Sequence, residues 1–175
     1  MLEGVRKLQG ERNTMQRTKI RFMTKTAVIA ALYAALTLLL APFSFGVLQF
    51  RIAEALTVLP MFTVSAVPGL TIGCFLANLM GSGQWQDIVF GTLATLLAAL
   101  CSYFIRKNKW LVPLPPVVFN ALIVGTYLYF LFPSEYTMLF SIASVGFSEM
   151  VITYVFGIPL IAVLQKNEKT FHLAD

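Results

Sequence analysis

Val47-Leu48-Gln49-Phe50-Arg51-Ile52-Ala53-Glu54-Ala55-Leu56-Thr57 sets an arginine and a glutamate three residues apart in a run otherwise oily enough to lie in a membrane. A charge in hydrocarbon is costly and normally faces a cavity or a partner. At i, i+3 on a helix, Arg51 and Glu54 share a face and can touch. Two readings stand at this point: a structural ion pair at the membrane edge, or groups lining a polar substrate pocket.

Composition sets the class. Of 175 residues, 58% are hydrophobic and 12% charged, and the mean hydropathy is +0.77. A soluble domain holds around a quarter charged residues, so the chain reads as an integral membrane protein. Its 13 Lys and Arg against 8 Asp and Glu give a net charge of +5, which in a soluble protein would suggest nucleic acid. Here the cations gather at the two ends and in one loop, the pattern of membrane topology, and no nucleic-acid partner is expected. Cys74 and Cys101 lie in apolar runs and read as packed thiols. His172, the one histidine, is in the polar tail, so histidine catalysis and histidine-rich metal sites are not expected. No G-x-x-x-x-G-K-[ST] phosphate loop occurs, so energy for active transport would come from elsewhere. No cofactor is implied.

Six apolar segments follow one another. Residues 1–23 form a basic extension, 24–165 a membrane domain of six helices in a compact bundle, and 166–175 a polar tail. The extension lacks the apolar core and cleavage site of a signal peptide and is expected to be retained, as a surface helix or partly disordered. The first span covers 24–41, roughly 18 residues and long enough to cross, and Pro42 ends it. Within it Ala27, Ala31 and Ala35 recur every four residues, a spacing that lets another helix approach closely in lipid. The second span covers 50–66 with an interruption near Pro60. The third starts at Pro68 and carries Gly69, Gly73, Ala77 and Gly81, with Asn78 beside them. The fourth covers 88–105, the fifth runs from Pro116 to Phe132 and the sixth from Tyr136 to Leu164. Both basic termini and the basic loop Arg106-Lys107-Asn108-Lys109 fall on one side, which the positive-inside rule makes cytoplasmic. The outer connections carry no Lys or Arg.

Depth then groups the polar residues. A helix climbs about 1.5 Å per residue, which sets Glu149 about 22 Å up a core about 30 Å thick. Glu54 lies just below the first outer connection, Asn78 a turn below the second, and Asp87 opens the next helix. Gln49, Arg51, Glu54, Asn78, Gln84, Trp85, Asp87 and Glu149 therefore belong to the outer half, and the inner half is nearly free of ionisable groups. That asymmetry argues against an ion path through the membrane and for a blind pocket open to the outside. Carboxylates accept paired N–H donors such as those of guanine and bind ammonium groups. Trp85, Phe50 or Tyr127 offers a plate for a flat ring. The same architecture could instead serve a pterin, a flavin or a cationic vitamin, or work as a stand-alone transporter. An intramembrane enzyme is disfavoured by the missing catalytic constellations.

Several separate motifs carry a family resemblance. Gln49-Phe50-Arg51-Ile52-Ala53-Glu54-Ala55-Leu56 with Leu59-Pro60, Pro68-Gly69-Leu70-Thr71-Ile72-Gly73 through Asn78, Trp85-Gln86-Asp87-Ile88-Val89-Phe90-Gly91-Thr92, Pro115-Pro116 with Asn120-Ala121-Leu122, and Gly146-Phe147-Ser148-Glu149 resemble the queuosine-precursor transporter family QueT. The likeness covers 24–164. It implies a substrate-binding S component of an energy-coupling factor (ECF) transporter, a six-helix subunit of the prokaryotic cell membrane. Such subunits work with a transmembrane coupling subunit and two cytoplasmic ATPases. The family's small-residue stripe for the coupling subunit maps onto Ala27, Ala31 and Ala35. The implied ligand is a 7-deazaguanine base such as 7-aminomethyl-7-deazaguanine or queuine.

Overall fold

The computed structural model describes residues 2–45, 50–132 and 137–167, all helical or irregular, with no strand among them. Helix α1 runs Leu2–Leu39, so the basic extension and the first apolar span are one continuous helix. A short α2, Ala41–Ser44, follows, with Pro42 in its first turn where its missing N–H costs nothing. A 3₁₀ helix spans Ile52–Met61, and α3 spans Ala66–Gly81. Three long helices complete the chain: α4 (Asp87–Phe104), α5 (Leu114–Leu131) and α6 (Met138–Lys166). Each of these contains one π-helical turn, at Asp87–Gly91, Asn120–Val124 and Ile152–Phe156.

Four helices are long and apolar enough to cross a membrane: Arg12–Leu39 of α1, and α4, α5 and α6. The 3₁₀ helix and α3 are apolar but shorter. The segment expected as a second full span is therefore ten residues of 3₁₀ helix, about 20 Å long at 2.0 Å per residue. Its side chains Ala53 to Ala55 and Thr57 to Pro60 are buried. It threads the bundle and does not line its rim.

The third segment begins two residues before Pro68, which fits in the first turn of α3. Thr137 caps α6 by accepting from the Phe140 N–H at 3.3 Å. In α6, Pro159 denies the ladder an N–H just beyond the π-turn Ile152–Phe156. The connection at 46–49, which includes Gln49, lies outside the described residues, as do the outer turn at Pro133–Glu135 and the end of the tail with Lys169 and His172.

The tightest packing joins α1 to α3, and the glycine stripe causes it. A Cβ on Gly73 would stand 2.8 Å from the Ala30 carbonyl oxygen and 2.8 Å from Tyr33 Cβ. One on Gly69 would meet Ile29 Cβ at 2.9 Å and the Thr26 carbonyl at 3.0 Å. The backbones approach closely because neither glycine has a side chain, as small residues permit between membrane helices. Thr26 adds a hydroxyl bond to the Ser65 carbonyl at 3.2 Å. Ile29 and Tyr33 of α1 join Val67, Leu70 and Cys74 of α3 and Ala53 and Leu59 of the 3₁₀ helix in one buried cluster. Ala27, Ala31 and Ala35 lie on the other side of α1 and are exposed. The two small-residue stripes thus differ in use: that of α3 is spent inside the bundle, and that of α1 is open.

Overfilling the α1–α3 contact should be felt. Gly73→Val is expected to destabilise the detergent-solubilised protein by about 1–3 kcal/mol, read as a lower thermal midpoint. Gly10→Ala, whose methyl group meets nothing within 4 Å, should not lower it.

Candidate functional site

The 3₁₀ geometry decides how Arg51 and Glu54 meet. With three residues per turn, positions i and i+3 eclipse, so Arg51, Glu54, Thr57 and Pro60 form one column. The Glu54 N–H bonds the Arg51 carbonyl at 2.9 Å, and Thr57 Oγ1 donates to the Glu54 carbonyl at 2.6 Å. Arg51 Nη1 lies 3.9 Å from Glu54 Oε1. Glu54 is 1% exposed and Arg51 6%, so neither is a rim charge.

A polar network extends from this pair through the bundle. The Tyr33 hydroxyl of α1 donates to Glu54 Oε1. Arg51 Nη1 approaches Cys74 Sγ at 3.7 Å, and the guanidinium lies 5.3 Å from the Phe45 ring centroid. Cys74 Sγ also accepts from Asn78 Nδ2 at 3.4 Å and from Thr95 Oγ1 at 3.2 Å. Asn78 Nδ2 reaches the Asp87 carbonyl oxygen at 2.8 Å. The Tyr127 hydroxyl closes the series by donating to Asp87 Oδ1. Glu149, buried on α6, is close enough to interact electrostatically with both Glu54 and Arg51.

Several atoms of this network have no partner in the protein. Glu54 Oε2, Glu149 Oε2, Asn78 Oδ1 and Arg51 Nε are buried without a hydrogen bond. Buried polar groups are nearly always satisfied, and a charged one left alone costs much more than a neutral one. Two carboxylates share one guanidinium, and three acceptor atoms stand free. The arrangement is built to receive N–H donors and positive charge.

Of the residues expected at the site, Arg51, Glu54 and Glu149 come together, and Asn78 and Asp87 join them through Cys74. Gln84 and Trp85 are exposed and outside the network. Trp85 instead tilts against Phe90, with ring centroids 6.0 Å apart, and Phe90 stacks on Tyr127 at 5.9 Å. These rings line an apolar groove of about 580 Å³ between α4 and α5, whose wall also includes Leu93, Leu122 and Phe130. The Tyr127–Asp87 bond separates that groove from the polar network. The network is also deeper than the residue count suggests: Arg51 meets Cys74, at the middle of α3, and every member is buried.

Three participants escaped the sequence reading. Tyr33 stands in an alanine-rich run, and its being the one hydroxylated aromatic of the first span was the available signal. Cys74 is a free, buried thiol, as expected, but it serves as the hub acceptor. Its spacing of four from Asn78 pointed there. Thr95 had no distinguishing context. Among the described residues no cluster of His, Cys, Asp and Glu could hold a metal ion.

Comparison with known proteins addresses the same residues. The profile of the family described as QueT transporter matches residues 23–166. The chain belongs to the QueT transporter family. The match includes every described member of the network. A curated relative from Lactococcus lactis subsp. cremoris (strain MG1363), named "Queuosine precursor transporter QueT", is 35% identical over 85 residues. That alignment covers 47% of this chain and 50% of the relative, so the chain matches about half the relative's length. No solved structure matches. QueT membership and the apolar helices make this a multi-pass membrane transporter.

Removing the cation should be the worst single change. Arg51→Met leaves two buried carboxylates uncompensated and is expected to cost about 3–5 kcal/mol, whereas Tyr33→Phe should cost about 1–3 kcal/mol. Unfolding in mixed micelles, followed by tryptophan fluorescence, ranks the two. The reverse order would show that the hydroxyl, and not the guanidinium, is the chief partner of Glu54.

Proposed function

We propose that this QueT protein is the substrate-capturing S component of an ECF transporter and takes up a queuosine precursor from outside the cell. The observation that carries the proposal is the buried trio Arg51, Glu54 and Glu149 with two carboxylate oxygens left free. A 7-deazaguanine base with an amine side chain matches that inventory. Its ring N–H and exocyclic amine suit one carboxylate bidentately, and its ammonium group suits the other. Asn78 Oδ1 completes the edge, and Gln49 and Gln84 reach the ligand from the outer connections. Trp85 covers the ring when those connections close. Asp87 is the third carboxylate, held ready by Tyr127. The name of the lactococcal relative supports the ligand class.

In this proposal residues 24–165 form the membrane domain, crossing six times with the 3₁₀ helix as the shortest crossing. Residues 1–23 and 166–175 are cytoplasmic, in keeping with their cations, and the protein resides in the cell membrane. Ala27, Ala31 and Ala35, exposed on α1, meet the transmembrane coupling subunit, and lipid covers the remaining apolar surface. Two ATPase subunits supply energy, in keeping with the missing phosphate loop. A pterin, flavin or other cationic vitamin in the same fold is the competing reading.

Purified protein should bind 7-aminomethyl-7-deazaguanine or queuine in preference to pterins and flavins in a competition assay, and no affinity for any deazapurine would sink the ligand claim. Glu149→Gln should weaken the aminomethyl ligand about 10- to 100-fold, the value of a hydrogen bond to a charged group. Cells carrying this protein should concentrate the ligand only when an ECF coupling module is present. Ala31→Leu should leave binding unchanged and abolish that uptake. Vigorous uptake without any ATPase partner would contradict the S-component assignment.

A further inference from the structure

Asn120 is the buried polar side chain that the network above leaves unused. It is 4% exposed, and its amide nitrogen has no hydrogen-bond partner. It belongs to an inward stripe of α5 with Val117, Val124, Tyr127 and Leu128, while Val118 and Leu122 on the opposite side are exposed. A buried amide on an otherwise apolar stripe costs stability unless something satisfies it.

Helix register fixes its level in the bundle. Tyr127 of α5 meets Asp87 of α4, and these helices run antiparallel. Seven residues down each, about 10 Å, Asn120 comes level with Ala94 and its neighbour Thr95, and Thr95 bonds the Cys74 that approaches Arg51. On the other side, Gly125 abuts Ile142 and Gly146 abuts Ala121. That pairing brings Asn120 opposite position 147, about 3 Å in height from Glu149. The π-turn that Asn120 opens packs on both the Asp87 π-turn and the helix carrying Glu149. Asn120 therefore occupies the same layer as Arg51 and Glu149, on the wall facing them.

The unsatisfied atoms of that layer differ in kind. Glu54 Oε2, Glu149 Oε2 and Asn78 Oδ1 accept, whereas the Asn120 amide nitrogen donates and is neutral. A ligand that met only the acceptors would leave this donor unpaired. We infer that Asn120 is a specificity-determining contact that donates a hydrogen bond to a ring carbonyl of the ligand, so that the site selects an oxo-purine-type edge over one lacking the carbonyl. This inference rests on the substrate-capture reading and adds to it the atom that the ligand must present.

The test is a two-by-two comparison of protein and ligand. 7-Aminomethyl-7-deazaguanine and its analogue lacking the 6-carbonyl oxygen are titrated into the parent protein and into Asn120→Ala. The parent should favour the carbonyl ligand by about 10-fold or more, and the variant should bring that preference to within about 3-fold, since a donor left unpaired is what penalises the analogue. Asn120→Asp, which keeps the shape but replaces the donor with an acceptor, should favour the 6-amino analogue over the 6-oxo ligand. If Asn120→Ala does not yield monodisperse protein, Asn120→Ser takes its place in the comparison. An unchanged preference, or equal weakening of both ligands, would overturn the inference while leaving deazapurine capture intact. A parent protein that binds neither ligand would overturn both.

Discussion

One guanidinium has to serve two carboxylates inside this bundle. The desolvation of a buried charge is a penalty of several kcal/mol that only close partners offset, and Arg51 is the cation that Glu54 and Glu149 share. The surrounding architecture follows from that constraint. The 3₁₀ helix eclipses Arg51 over Glu54, the Tyr33 hydroxyl occupies one carboxylate oxygen, and Cys74 gives the guanidinium a soft, polarisable neighbour. What remains unmatched is one negative charge and a set of free acceptor atoms. A protein interior rarely tolerates such a deficit, and a ligand with the complementary charge removes it.

The close approach of α1 and α3 is what makes the shared guanidinium possible. Tyr33 reaches Glu54 from α1 because Gly73 lets the two backbones nearly touch, and the same face of α3 presents Cys74 and Asn78 to the core. Packing and chemistry are thus set by one stripe of residues on one helix. The opposite face of α1, with Ala27, Ala31 and Ala35, remains available without disturbing the network.

Much of this was legible in the chain. Hydropathy marked every apolar helix, and proline positions marked most of their starts, because both effects are local. The pairing of Arg51 with Glu54 was legible because i, i+3 proximity holds in α and 3₁₀ helices alike. That same tolerance hid the 3₁₀ geometry: over ten residues, periods of 3.0 and 3.6 diverge too little to separate by eye. Counting residues down from the loops put Glu54, Asn78, Asp87 and Glu149 at related heights but could not show that α3 presents Cys74 as their common acceptor. Gln84 and Trp85 were grouped with them by sequence proximity to Asp87, yet they sit on the exposed side of that turn. Tyr33 and Thr95 entered through tertiary contact alone.

The π-turns have a bearing on how relatives should be compared. Each holds one residue more than the α-turn it replaces, and Asp87 and Asn120 stand at the first position of theirs while Glu149 precedes its own by three. Deleting one residue there would restore a regular helix and rotate whatever follows by about 100°. Insertions and deletions of a single residue within transmembrane helices are usually treated as alignment noise. In this fold they are the economical route by which divergence could turn a polar side chain out of the core, and with it change what the protein recognises.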